Sequence, residues 1–495
     1  SLQIAGASGS VHDFTVAAAG ATAHADIAAV NGDLVLRGTG SVSGNANALD
    51  GASLTLSASG SLDTTGTTLK VVNVNSGDEA GAQAVLLAST GAAKLGVAKV
   101  TAQGGGTASF AATAGTTLVA TAKLDAENLG LGTAAGNALV KLNTTGKTGV
   151  TSTITQDSGA TITAATKGNA GNATVDIQAG NCCNSAVTLN DTVKAVVDGG
   201  TGSATIAARG ATVTVKDLTA NVLAAGTGNT MVSLAAPTEV KLAGTIDSQA
   251  AASTARAQVQ LVSDKLTDGA TFKLSKGNGH VQLTPFSTGK IIGVHSDKDF
   301  DETADVNYNL LTLKKFMTQG AELRFGGEFD RSAWLDPVTG EVCLPGMEAW
   351  ASQLQHTGAI HVAGNGRLNL GDVKMVFDTT GTTTYHDPKM SAWSVPTGRV
   401  ATLVVPPSNV DRYLDRTDNT VQNMNKVVQD TTAMTRSSGA VEAGQPAPRG
   451  TQIGGKLFMD GNGVNMARND AAEGSQADAQ GPESKSRQNG DSTEQ

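Results

Sequence analysis

Apolar and small polar residues alternate along short stretches of this chain, and the stretches recur. In seven of them a glycine stands four residues ahead of an apolar residue: Gly81/Val85, Gly106/Phe110, Gly136/Val140, Gly171/Val175, Gly202/Ile206, Gly228/Val232 and Gly277/Val281. An eighth unit, at Val259, carries Ala255 in place of the glycine. With it counted, the units return every twenty to thirty-five residues. GNALVKLN from Gly136, GNATVDIQAG from Gly171, GSATIAARG from Gly202 and GNTMVSLAA from Gly228 are variants of one phrase. Phe14, Leu34 and Leu54 join the series. A second strand follows inside most units, as at Val187, Val213, Val240 and Phe272. Period-two alternation marks a strand with one buried face. A fixed repeat of such strands marks a solenoid.

The pattern therefore predicts an all-β fold: a right-handed parallel β-helix (β-solenoid), with a short helical segment and a disordered tail at the C-terminal end. The hand follows from the preference of parallel crossovers. About eleven coils stacked at ~4.8 Å make a rod of roughly 50 Å. A row of β-sandwiches is the competing architecture. Against it, the units are too short to close a sandwich, and no aromatic core residue recurs.

Composition supplies the reason. Sixty glycines and only 3% aromatic residues cannot fill a thick core. A narrow coil interior lined by Val, Ile, Leu and Ala needs no large residues. Gly, Asn and Asp are expected at positive-φ corners, and corner Asn residues are candidates for side-chain ladders. Net charge is −9 with no basic cluster, which argues against nucleic-acid binding. No apolar run reaches membrane-spanning length. The opening at Ser1, in strand-like text, reads as a mature product or a fragment of something longer. Cys182, Cys183 and Cys343 are too few for a disulfide framework.

The chain falls into four expected parts: 1–290, solenoid repeats; 291–405, a continuation with aromatic loop insertions; 406–435, a helical cap or linker; and 436–495, the disordered tail. Val410, Leu414, Val421, Met424, Val427 and Val428 set the helical spacing. Leu457, Phe458 and Met459 form an apolar island in the tail.

Between 281 and 326 the text changes: VQLTP over 281–285, GKII over 289–292, a Leu-rich turn, and LRFG over 323–326. With the Gly/Ala/Thr-rich units before them, these segments resemble the filamentous haemagglutinin-like exoproteins of Gram-negative bacteria. The resemblance covers roughly residues 1–380 and is one of repeat style more than of fixed motif. Their amino-terminal secretion domain is not visible, so it implies an internal or carboxy-terminal part. It also implies two-partner secretion through an outer-membrane transporter, and a surface-exposed adhesin.

The chemistry-bearing residues are few. Asp297, Asp299 and Asp301 have the spacing of a calcium loop, but Glu302 and Tyr308 stand where its glycine and final glutamate belong. A solvated acidic loop is the plainer reading. The histidines at 12, 24, 280, 295, 356, 361 and 386 are expected on the surface or in loops. No metal or other cofactor is indicated. Asp176, Asp191 and Asp198 fall at loop-like positions, short of the carboxylate cluster of a sugar-cleaving β-helix. Tyr308, Trp334, Trp350, Tyr385 and Trp393, all near turns, are the candidate contact aromatics; packing of the insertion against the rod is the alternative for each.

The expected protein is a secreted, non-enzymatic fibre shaft on the bacterial surface. Its partners are the secretion transporter and a receptor or glycan on a host or neighbouring cell, with self-association possible. A self-assembling filament and a β-helix polysaccharide lyase or hydrolase are the alternatives.

Overall fold

The computed structural model describes residues 1–146, 150–180, 184–223, 226–275, 278–295, 303–309, 322–331, 354–363, 374–386, 393–395, 401–404, 457–460 and 463–466. Among these every regular element is a strand. The expected helix over 406–435 lies outside them, as do Cys182, Cys183, Cys343 and the acidic loop at 297–301. No helix among the described residues is long and apolar enough to cross a membrane.

The strands wind as a parallel β-solenoid. A 16-stranded first sheet takes one strand from each coil, and its first thirteen members, from Leu2–Gly6 to Lys374–Asp378, run parallel. The central column is continuous: Phe110, Val140, Val175, Ile206, Val232, Val259 and Val281 lie in register, each on the next. All seven are buried. Val259 holds its place although its corner carries Ala255. The phrase read from sequence is thus one wall of the rod.

The 15-stranded second sheet supplies the other two walls. Ser185–Asp198 shows how. It pairs with Ser152–Gln156 through its first half and Ile162–Lys167 through its second, so one strand turns a corner. Val187, Val213 and Val240 stack on the first of these walls. Leu124, Ile162, Val193, Leu218, Ile246 and Phe272 stack on the second. Phe14 and Leu34 belong to this sheet and not to the first. Val85 is likewise out of phase by one residue. Ala84 takes its place in the column, and Val85 is 38% exposed. Packing decides this: Phe110 lies in register with Ala84, so a small side chain faces a large one in an interior of fixed width.

Two devices close the corners. The first is close backbone approach. A Cβ on Gly202 would stand 1.9 Å from the Gly171 carbonyl oxygen, and one on Gly228 would stand 1.8 Å from that of Gly202. Neither has positive φ; the only non-glycine residue with positive φ among those described is Asp13. Positive φ, expected at the corners, is found just ahead of them, at Gly168, Gly199 and Gly200, and also at Asp13, but not at Gly202 and Gly228 themselves. Glycine stands there because successive coils touch through bare backbone. The second device is an Asx step. Asn137 accepts the Asn172 N–H at 2.8 Å, Asn172 that of Ser203 at 2.9 Å, and Asn229 that of Arg256 at 2.8 Å. Asp13, Asp33 and Asp217 do the same for Thr39, Ser61 and Thr245. Each step satisfies a backbone donor that the turn takes out of the ladder, worth about 1 kcal/mol net. These steps run from side chain to backbone; the expected side-chain ladder occurs at Asn75, whose Nδ2 donates to Asn45 Oδ1 in the preceding coil at 3.1 Å.

Regularity ends near residue 290. A five-stranded third sheet has the order Val306–Asn309, Ile292–His295, Ile360–Ala363, Thr383–His386, Trp393–Val395. Its last pair is antiparallel, as is the pairing of Ala401–Val404 on Lys374–Asp378. Strands reversed in direction thus lie on the last parallel rung of both sheets, the place expected for a helical cap. Leu457–Asp460 and Gly463–Met466 form a hairpin within the stretch expected to be disordered, and the second pairs with Ala401–Val404.

Gly202→Ala should lower stability by about 1–3 kcal/mol, the range for overpacking, and toward its upper end because the group it meets is backbone. Gly9→Ala, whose Cβ meets nothing within 4 Å, should change it by less than ~0.5 kcal/mol. Urea unfolding midpoints of the two variants check this. Equal effects would sink the backbone-contact account.

Candidate functional site

The outer face of the first sheet carries the site. Strands Ala257–Ser263, Gly279–Thr284, Glu322–Gly326 and Lys374–Asp378 are consecutive neighbours there. Alternate residues point out in two columns. Gln258, His280 and Glu322 make one; Ser233, Gln260, Gln282 and Arg324 make the other. Along this stretch the outward residues are amides, an imidazole and charged groups, and a pocket of about 430 Å³ opens over them.

The second column is a hydrogen-bonded ladder. Ser233 Oγ donates to Gln260 Oε1 at 3.0 Å, and Gln260 Nε2 to Gln282 Oε1 at 3.2 Å. Gln282 Nε2 lies 3.0 Å from the carbonyls of both Gly326 and Glu328. The ladder ends on a charged knot. Arg324 donates to Asp378 Oδ2 at 2.6 Å and to Glu322 Oε1 at 3.0 Å, and Gln355 Nε2 donates to Asp378 Oδ1 at 2.8 Å. Burial pulls the Arg324 guanidinium down, but its two carboxylates outweigh that and leave it above its ordinary value. Burial lifts the Asp378 carboxyl by more than Arg324 lowers it. His280 Nδ1 stands 3.7 Å from Glu322 Oε1. The result is a floor of donors and acceptors, whose lining also includes Arg256 and Glu328.

A second knot centres on Arg331. Arg331 is fully buried and donates to the carbonyls of Phe286 at 2.6 Å, Phe329 at 2.9 Å and Pro285 at 3.2 Å. Its guanidinium lies over the Phe286 and Phe329 rings, and burial pulls it down to about 10. His356 is also fully buried, and neither ring nitrogen has a partner among the described residues. Burial first, and then the Arg331 charge, lower it to about 4. Of the histidines expected on the surface or in loops, His356 lies in a loop but is buried, and His295 is buried in the strand Ile292–His295.

The candidate aromatics do not gather. Tyr308 is corrected outright as a contact residue. It is 5% exposed in the strand Val306–Asn309, with its ring 5.8 Å from that of Phe325, and burial pushes its phenol up. It fills an interior that widens where Phe325 and Phe377 stack at 5.7 Å. Tyr385 and Trp393 stand opposite each other on paired antiparallel strands. Trp334 and Trp350 lie outside the described residues. Asp176 sits in a strand, not a loop, and pairs with Arg209 at 3.1 Å. No group of three or more metal-ligating side chains occurs among the described residues. Sequence reading missed the cleft. The one available signal was the run of polar outward positions, Gln258, Gln260, His280, Gln282, Glu322 and Arg324, in three apolar strands.

Acid should loosen this end first. The unfolded chain takes up the His356 proton near pH 6.5, the folded chain only near pH 4. Stability is therefore complete above pH 6.5 and falls by up to about 3 kcal/mol as the pH drops to 4. The corner carboxylates Asp13, Asp78 and Asp191 act in a lower window. Hydrogen bonds, led by the Thr39 N–H, the Thr133 hydroxyl and the Gly159 N–H respectively, hold them below 3.8, and what they contribute is lost only on acidification past that value. Thermal melts from pH 7 to 4 should show His356→Phe flattening the upper window alone; an unchanged slope would reject the assignment.

No protein-family model matches the chain, and no curated protein and no solved structure matches it.

Proposed function

We propose that the chain is the shaft of a secreted or surface-exposed β-helical fibre, adhesin-like and non-enzymatic, displaying the polar cleft as its contact surface. One observation carries the reading: the hydrophobic columns run unbroken from coil to coil, and every coil bonds to the next through parallel backbone ladders. Such a body resists bending and places a site at a distance, which is mechanical work. Export through an outer-membrane two-partner transporter, and a receptor or glycan on a facing cell, belong to the same proposal. The haemagglutinin-like text over 281–326 supports them.

A second reading has its own support. Glu322, Asp378 and His280 share one cleft, and paired carboxylates are the equipment of glycoside hydrolysis. Against this, both carboxylates are held by Arg324, and Asp378 is only 6% exposed.

Negative-stain images of the purified chain should show unbranched rods of roughly 60 Å, thirteen rungs at ~4.8 Å. Neutral and acidic polysaccharides incubated with it should keep their length. Globular particles would reject the shaft, and progressive shortening of any glycan would favour the enzyme.

A further inference from the structure

We infer that the cleft on the first sheet binds a linear, uncharged polysaccharide of β-linked pyranoses, laid parallel to the rod axis with one sugar residue per coil. The inference rests on the reading of this face as a contact surface and adds the ligand class.

Four arguments lead there. The cleft crosses four successive coils, so its floor runs along the axis for three steps of ~4.8 Å, about 14 Å in all. Its size of about 430 Å³ lies within the range of built ligand sites. The groups on its floor repeat at the coil spacing, as Gln258, His280 and Glu322 stand in register on consecutive strands. A ligand that meets them equivalently needs the same step. A pyranose chain with equatorial linkages advances by a comparable distance per sugar. A β-1,4-linked chain turns over at each sugar and so repeats a face at every second coil, whereas an extended peptide repeats a face at ~6.6 Å, in step with neither one coil nor two.

Charge and hydrogen bonding narrow the class. Two guanidiniums, Arg256 and Arg324, face three carboxylates, Glu322, Glu328 and Asp378, in the lining. Arg324 is already engaged by two of them. Sulfated or uronic chains would meet a floor with more negative than positive charge. Ring hydroxyls, each both donor and acceptor, suit alternating amides, carboxylates and imidazole. The floor is fixed before any ligand arrives, because Gln260, Gln282 and Arg324 are tied to one another's strands. Little ordering cost then falls on binding.

The test is titration calorimetry on the whole chain with β-1,4-linked glucose and N-acetylglucosamine oligomers of one to six residues, and with sulfated oligomers of matched length. Affinity should rise at least tenfold from monomer to trimer, level off at three to four residues, and be weaker for the sulfated series. Gln258→Ala and His280→Ala should each lose at least fivefold with unchanged melting temperature. Lys141→Ala, on the same sheet far from the cleft, should lose nothing. Absence of binding, affinity independent of length, or preference for the sulfated chains would overturn the inference, and rods in the microscope would still uphold the shaft. Binding accompanied by shortening of the oligomers would uphold the ligand class and overturn the non-enzymatic reading.

Discussion

Every coil of this protein must lie flat on the one before it at the distance of a parallel β-ladder. That single spacing governs what each position tolerates. Interior side chains cannot grow outward, so Phe110 lies in register with Ala84 on one side and Val140 on the other. Corners cannot carry a Cβ where two backbones meet, so Gly171, Gly202 and Gly228 form their own column. Turns remove N–H groups from the ladder, and an Asn or Asp in the previous coil accepts them. Low aromatic content and abundant glycine follow from the spacing.

The constraint relaxes where the chain inserts segments between coils. Beyond residue 290 the interior holds Tyr308, Phe325 and Phe377, and in the coils just before it one column of outward positions is already covered. Ala235, Val262 and Thr284, on the outer face of the first sheet, are fully buried. Arg331 makes this possible. It supplies donors to the carbonyls of a non-repeating segment that no ladder satisfies. The same departure from regularity contributes to the cleft, since Glu328 and Gln355, bridged to each other, line it beside residues of the regular strands. Function and irregularity therefore coincide, and the repeating coils hold both in place.

Much of the rod was legible in the residues alone. The alternation at Val140, Val175, Ile206 and Val232, with the phrase around it, determined that the chain winds and which residues share a wall. Period and phase are local properties, and a strand writes them into its own sequence. The exceptions were those that depend on a neighbour. Val85 was misphased because only Phe110, a coil away, decides that Ala84 must face in. Phe272 was placed with the wrong wall because a bend, and not its alternation, separates the two faces of the second sheet. The corner glycines were found, but their reason was not, since close approach belongs to two coils and φ to one.

The site was almost wholly the work of tertiary structure. Gln258, His280, Glu322 and Asp378 are spread over 120 residues, and stacking alone sets them side by side. Aromatic residues drew attention to 308–393, yet Tyr308 was spent on the interior while unremarkable glutamines built the floor. His356 reads as an ordinary loop histidine until Arg331 is folded against it. The pattern of hydrophobic positions determined a wall, which is local; contacts between coils decided the cleft, which no single coil contains.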